Sequence, residues 1–367
     1  MIIKRCKGCG AVLQNNNEAL AGFIPVLKED STTCRRCYRM IHYNELPKIV
    51  AKNEDYERVI DSVVQKKALM VYIVDIFAFK STFLDLMIDK LRNSDVLLLV
   101  NKVDLLPKSC NLDRVIEWVE AACQAKFFKV LGVGLISAKK NLYVEDLISV
   151  IDAARKERDV YFVGCANVGK SSVINALLRH TMNQSNDVIA TSMIPGTTLN
   201  EIRIPYFIDN RALIDTPGLI NPADVLSKVL SPKSISLLMP TSELKPITYQ
   251  ITDGNSIFLG GLASISFSSK EMIPVTVYAA KTLYLHRCKT SKVEELWENQ
   301  LGKLLVPPTE DEINLLKYKD LTFDLKGRKA IWFSGFGFIQ VQKDVKVKIK
   351  VLEHTEVYVT NALIGIR

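Results

Sequence analysis

The stretch that decides the fold runs Asp159-Val-Tyr-Phe-Val163, then Gly164-Cys-Ala-Asn-Val-Gly169-Lys170-Ser171, then a helical pattern from Ser172 to Arg179. A short apolar strand feeds a G-x4-G-K-S loop that opens a helix, the context a phosphate-binding loop requires. Gly164 and Gly169 let the backbone wrap a phosphate chain, with amides, including that of Val168, and the helix N-terminus turned toward it. Lys170 is placed to reach the β- and γ-phosphates, and the Ser171 hydroxyl to bind Mg²⁺, with Ser172 following on the same turn.

Downstream, Arg211-Ala-Leu-Ile-Asp215 reads as a strand that ends in Asp215-Thr-Pro-Gly218. A carboxylate at that strand tip can hold Mg²⁺ through water, and Gly218 can offer its backbone N–H to a γ-phosphate because no side chain blocks the approach. Between the two lies Pro195-Gly-Thr-Thr198. A hydroxyl there can complete the Mg²⁺ shell, and spacing to the strand expected over 201–208 favours Thr198.

Upstream, Asp95-Val-Leu-Leu-Leu-Val100 reads as a buried parallel strand leading to Asn101-Lys102-Val103-Asp104. The Asp104 carboxylate can accept from N1–H and the 2-amino group of guanine. Adenine offers neither donor and would leave that carboxylate unmatched. Lys102 can lay its aliphatic stem on the base plane. After another apolar segment comes Ser137-Ala138-Lys139, whose loop can give an amide to guanine O6. An ATP-binding protein would have no use for the Asn-Lys-Val-Asp element.

Alternating strands (69–75, 95–100, 127–136, 160–163, 201–208, 211–215) and helices (82–92, 111–125, 143–157, 170–180) predict a mostly parallel α/β sheet with phosphate bound at strand C-termini. In front of it, Cys6-x2-Cys9 and Cys34-x2-Cys37 are separated by 24 residues. Four thiolates in this pattern can close a tetrahedral Zn²⁺ site and supply folding energy to a segment poor in large apolar residues. Two disulfides or free thiols are the other readings. The remaining cysteines, Cys110, Cys123, Cys165 and Cys288, read as buried small apolar residues.

After Asn221 come a short helical stretch over 223–230, many short β-like runs and a helix over 292–301. Val345-Lys-Val-Lys-Ile-Lys-Val351 alternates strictly, so one strand face carries Lys346, Lys348 and Lys350. These can meet RNA phosphates or can simply be solvated edge lysines.

The chain has 367 residues and a formal net charge of +8. Residues 1–47 carry +3, 48–222 carry +1 and 223–367 carry +4. These spans are the expected domains: a zinc finger, a near-neutral nucleotide-binding engine, and a β-rich C-terminal domain. The longest apolar stretch, from Ala68 to Phe79, is interrupted by Asp75 and is too short to span a bilayer. With no leader before Cys6, a cytoplasmic chain without a membrane partner is expected.

Together these motifs resemble the G-boxes of a translation-factor-type GTPase in permuted order: base recognition first, then P-loop, then Asp215-Thr-Pro-Gly218. The order is similar to that of the circularly permuted GTPases. With the four-Cys finger, Asp75-Ile-Phe, Glu243-Leu-Lys-Pro246 and Leu259-Gly-Gly-Leu262, it resembles the YqeH family of bacterial small-subunit assembly GTPases. The resemblance implies a P-loop GTPase fold in circular permutation. It implies GTP/GDP, Mg²⁺ and Zn²⁺ as ligands and the small ribosomal subunit or its rRNA as partner, with DNA not expected and a monomer expected. A protein-binding scaffold switched by GTP is the alternative. Nitric-oxide synthesis has no support, since no haem or flavin motif is visible.

Where Ras-like enzymes carry a water-orienting Gln, this chain has Leu219. Members with that substitution resemble K⁺-activated GTPases with an Asn in the P-loop. Asn167 holds that place, either coordinating K⁺ or only stabilising the turn.

Overall fold

The computed structural model describes residues 4, 12–16, 23–26, 31–35, 38, 50–51, 53–184, 194–195, 202–219, 230–353, 355–362 and 364. Cys6, Cys9, Cys37, Thr198 and all but the last residue of the helical stretch expected over 223–230 lie outside them. The chain divides into two compact units. The first comprises Met1–Ile76, Thr82–Val103 and Val119–Ile220; the second comprises Phe77–Ser81, Asp104–Trp118 and Asn221–Arg367.

In the first unit, strands β1 (Val50–Ala51), β2 (Leu69–Asp75), β3 (Asp95–Asn101), β4 (Gly132–Ile136), β5 (Val160–Gly164), β6 (Ile194–Pro195), β7 (Ile202–Pro205), β8 (Ala212–Asp215) and β9 (Gly218–Leu219) alternate with helices. The helices are α1 (Asn53–Val64), α2 (Asp85–Leu91), α4 (Val144–Arg155), α5 (Lys170–Gln184) and α3 (Leu112–Ala125), whose residues through Trp118 belong to the second unit. Seven strands form one sheet in the order β4-β3-β2-β5-β8-β7-β6. The strands from β4 to β8 are parallel, while β7 and β6 add antiparallel. Every residue of β2 is buried, as continuous apolar runs demand when both sheet faces are covered.

Register places the strand ends together. Asp75 pairs with Asn101, Ile73 with Gly164, and Phe162 with Asp215. The carboxyl ends of β2, β3, β5 and β8 therefore meet on one edge, where open α/β sheets bind ligands. The strand expected over 127–136 starts only at Gly132. Residues Phe127–Leu131 instead unwind α3: Phe127 takes φ +51° and Phe128 N donates to Cys123 O at 2.9 Å. This left-handed exit leaves Phe127 exposed and buries Phe128.

The second unit holds two antiparallel five-stranded sheets. One has the order β10 (Ile247–Ile251), β13 (Ile273–Ala279), β17 (Gly337–Val341), β16 (Lys329–Phe333), β19 (Val357–Asn361). The other runs β14 (Leu285–Lys289), β11 (Asn255–Leu259), β12 (Ala263–Ser268), β18 (Val345–Leu352), β15 (Tyr318–Leu325). Their inner residues, including Ile265, Val347 and Ile349 from one and Val275, Ile331 and Ile339 from the other, form one core. Strands β14 and β19 carry little alternation in sequence, whereas β15 alternates from Asp320 to Leu325, with Leu321, Phe323 and Leu325 on one face. The short helices α6 (Pro232–Leu238) and α7 (Val293–Gln300) complete the unit.

Two segments that precede the P-loop in sequence pack within this second unit. Trp118 stacks on Trp332 at 5.9 Å, and Trp332 stacks on Phe338 at 4.1 Å. Leu244 N donates to Leu105 O, and Ser334 Oγ to Ser81 Oγ at 2.7 Å.

The lysine strand alternates as expected, with Val345, Val347 and Ile349 inside and Lys346 and Lys348 outside. It is not a bare cation row. Lys350 lies opposite Asp320 and Lys346 opposite Asp324, while Lys348 lies between Thr322 and Ser266. Lys350 also reaches Glu294 at 3.3 Å. Cys110, Cys123, Cys165 and Cys34 are buried, but Cys288 is half-exposed, on β14. Burial pushes the Cys110 thiol up to about 11, and burial with Glu120 does the same for Cys123, so both stay protonated and inert.

Candidate functional site at the carboxyl ends of the parallel strands

The loop between β5 and α5 is built on three left-handed or otherwise glycine-favouring positions: Gly164 (φ +145°), Asn167 (φ +64°) and Gly169 (φ +98°). A Cβ at Gly164 would collide with the Ile73 carbonyl, and one at Gly169 with the Asn101 amide. Asn tolerates the left-handed region better than most residues, which suits Asn167 to this turn, and its side chain is exposed. Ser172 is exposed and Ser171 half-buried at the start of α5.

Lys170 is buried and folds back on the loop, donating to the Gly164 and Cys165 carbonyls at 3.0 Å each. Burial lowers its pKa, partly offset by Asp215 and Cys165. A cation held in that way gains most from an incoming polyanion.

Asp215, buried at the tip of β8, accepts from Ser171 Oγ at 2.7 Å. A hydroxyl from the first turn of α5 and a carboxylate from the tip of β8 are the hard oxygen donors that suit Mg²⁺. Thr216 Oγ1 donates to Phe162 O at 2.7 Å, fixing the turn that follows. Gly218 is then forced close to the phosphate loop. A Cβ there would stand 2.8 Å from Ala166 Cα and 3.0 Å from Lys170 Nζ. Ala166 N donates to Leu219 O at 2.8 Å, and Val50–Ala51 pair in parallel with Gly218–Leu219. Leu219 is fully buried, so it cannot orient water.

Asn101 is the hub. Its Nδ2 donates to Val168 O at 2.8 Å and its Oδ1 accepts from Ala138 N at 3.2 Å. One buried side chain thus fastens the end of β3 to the phosphate loop and to the Ser137-Ala138-Lys139 turn. Ser137 is buried and accepts from Lys140 N at 3.0 Å, tightening that turn, while Lys139 is exposed. Asp104 lies in the single turn Val103–Leu105 directly after.

Lys102, with φ +69°, pairs with Asp75 at 2.5 Å. Sequence reading assigned Asp75 no role. The signal was there: it is the charged interruption in an otherwise apolar run, at the strand end where ligands bind. Of the expected zinc ligands only Cys34 is described, and it is buried. Among the described residues no group of three or more His, Cys, Asp or Glu side chains is arranged to hold a metal, and no helix is long and apolar enough to cross a membrane.

A parallel sheet with a glycine-rich phosphate cradle and adjoining oxygen donors defines a P-loop GTPase domain, and residues 159–255 match the family described as 50S ribosome-binding GTPase. GTP or GDP and Mg²⁺ are the ligands such a domain binds. Residues 272–363 match the family described as YqeH-like, C-terminal. The protein named YqeH from Bacillus subtilis is 34% identical over 98% of this chain and 99% of its own length. The chain belongs to the YqeH family. NO-associated protein 1, chloroplastic/mitochondrial, of Arabidopsis thaliana is 29% identical over 92% of this chain and 69% of its own. A protein of Mannheimia succiniciproducens named small ribosomal subunit biogenesis GTPase RsgA is 28% identical over 58% of this chain and 54% of its own.

Proposed function

We propose that this chain is a cytoplasmic, circularly permuted GTPase that hydrolyses GTP to GDP and phosphate while acting in assembly of the small ribosomal subunit. The observation that carries it is the Asn101 bridge, which joins the Asn-Lys-Val-Asp loop, the Ser-Ala-Lys turn and the phosphate loop around one cradle.

In this reading Asp104 takes the guanine edge and the Ser137-Ala138-Lys139 turn the O6 side. Lys170 leaves its carbonyl partners for the β- and γ-phosphates. Ser171, Asp215 and Thr198 hold Mg²⁺, which offsets charge on the leaving group. Gly218 N–H meets the γ-phosphate, and Asn167 holds K⁺ beside it. Cys6, Cys9, Cys34 and Cys37 hold Zn²⁺ in residues 1–47, ahead of a GTPase domain over 48–222 and a ribosome-contacting domain over 223–367. The similarity to a protein named for small-subunit biogenesis supports the partner. Lys348, with Ser266 and Thr322 across from it, is the lysine of its strand best placed for an RNA phosphate.

Sedimentation through sucrose gradients with GTP, GDP and a non-hydrolysable analogue tests the partner. Nucleotide-dependent co-migration with 30S particles is expected. Migration with 50S particles, or none in every nucleotide state, overturns the small-subunit assignment. Release of phosphate from GTP by the purified chain tests the activity separately.

A further inference from the structure

We propose that Asp75 is a positioning residue for guanine recognition, acting through Lys102; this rests on the GTP-binding role assigned above to the Asn101–Asp104 loop. Asp75 is the last residue of a fully buried strand and is itself buried. A carboxylate in such a place is costly unless a partner of opposite charge compensates it. Lys102 does so, its ammonium 2.5 Å from Oδ2. The backbone amide of Asp75 donates to Thr82 Oγ1 at 3.0 Å, and the Thr82 carbonyl accepts from Tyr72 OH at 2.7 Å, so the carboxylate is held on a fixed frame.

The loop is therefore pinned at two consecutive residues, in two directions. Asn101 ties it toward β5 through Val168, and Lys102 ties it to β2 through Asp75. Lys102 also adopts a left-handed backbone that a non-glycine residue keeps only where its surroundings enforce it. A long, flexible side chain whose far end is anchored has lost most of its rotamer freedom before ligand arrives. Its four-carbon stem becomes a preset surface, and Asp104, two residues on, inherits the direction of the loop. Removing Asp75 would return that ordering cost to the binding step, for any nucleotide carrying guanine.

The experiment is a fluorescence titration of the full chain with labelled GTP, GDP and ATP, alongside steady-state hydrolysis. Asp75→Ala is expected to raise the dissociation constants of GTP and GDP together, by about tenfold, the size of one charge-assisted contact. The loss should appear in KM, with kcat at saturating GTP nearly unchanged, because the γ-phosphate contacts lie elsewhere. Lys102→Met should match it, and the double variant should be no worse than either, as for two residues acting as one unit. Asp75→Asn, nearly isosteric, should fall between and keeps the test alive where alanine impairs folding. Guanine selectivity in the parent with unchanged dissociation constants in Asp75→Asn and Asp75→Ala, only melting temperature falling, overturns the positioning role alone. A parent chain that binds ATP as tightly as GTP overturns the guanine reading beneath it.

Discussion

Replacing Asn101 tests how the site is held together. Asn101→Ala removes a donor to Val168 O and an acceptor for Ala138 N, at 2.8 and 3.2 Å, from a residue 2% exposed. Water cannot readily replace either partner, and a buried polar group left unmatched costs about 1–3 kcal/mol. Two such groups, allowing for some relaxation, give a loss of about 3 kcal/mol without nucleotide. For a unit of this size that lowers the melting temperature by roughly 10 °C. Dissociation constants for GTP and GDP should rise in parallel, since the bridge aligns loops that both nucleotides use. Asn101→Asp refines the test. It keeps the acceptor for Ala138 N but sets a carboxylate against the Val168 carbonyl. Burial and that repulsion raise its folded pKa above the unfolded value, so the folded state binds a proton more readily. The variant should therefore regain stability as pH falls through that raised pKa, when the protonated acid can donate to Val168 O. Thermal melts across pH with and without GDP are the assay. A melting temperature within about 1 °C of the parent for Asn101→Ala, or a loss confined to GTP, would refute the bridge as the element joining the three loops.

Gly218→Ala brings a Cβ to 2.8 Å from Ala166 Cα and 3.0 Å from Lys170 Nζ. GTP affinity should fall at least tenfold more than GDP affinity, the worth of one charged hydrogen bond to the γ-phosphate; equal losses in a titration of both would show that Gly218 serves only the loop. Glu312 is buried, which raises its pKa, but the Thr309 and Ser231 amides and the Ser231 and Ser234 side chains outweigh this and hold it at about 2. A depressed carboxylate stabilises the fold above its unfolded pKa and loses that contribution as pH falls from about 4.5 toward 2. The contribution is on the order of 3 kcal/mol, so Glu312→Gln should show a shallower loss of stability than the parent between pH 4.5 and 2 in acid-unfolding melts. If Asn167 holds K⁺, hydrolysis in KCl exceeds that in NaCl and Asn167→Ala removes the difference; equal parent rates in both salts reject the assignment.

The GTPase class of this protein was legible because each G-box is local. A strand, a glycine-permitted turn and one or two side chains lie within eight or so residues, and the backbone physics that makes Gly164, Gly169 and Gly218 necessary acts over the same distance. Strand β2 and the lysine strand were readable for the same reason, since burial patterns of period one and two are printed in the residues themselves. The expected zinc ligands Cys6, Cys9 and Cys37 and the expected Mg²⁺ hydroxyl of Thr198 fall outside the described residues, so those assignments rest on spacing alone.

What the sequence could not determine involves partners far apart along the chain. Asn101 is as plausible a base contact as a bridge until Val168, 67 residues away, comes to 2.8 Å. Asp75 is only an interruption in an apolar run until register sets it beside Asn101 and turns Lys102 onto it. The lysine strand reads as a cation row until β15 supplies Asp320 and Asp324 across from it. Local order follows from propensity and periodicity. Which distant charges and amides meet follows from strand order and register, and those are fixed by the packing of the whole sheet.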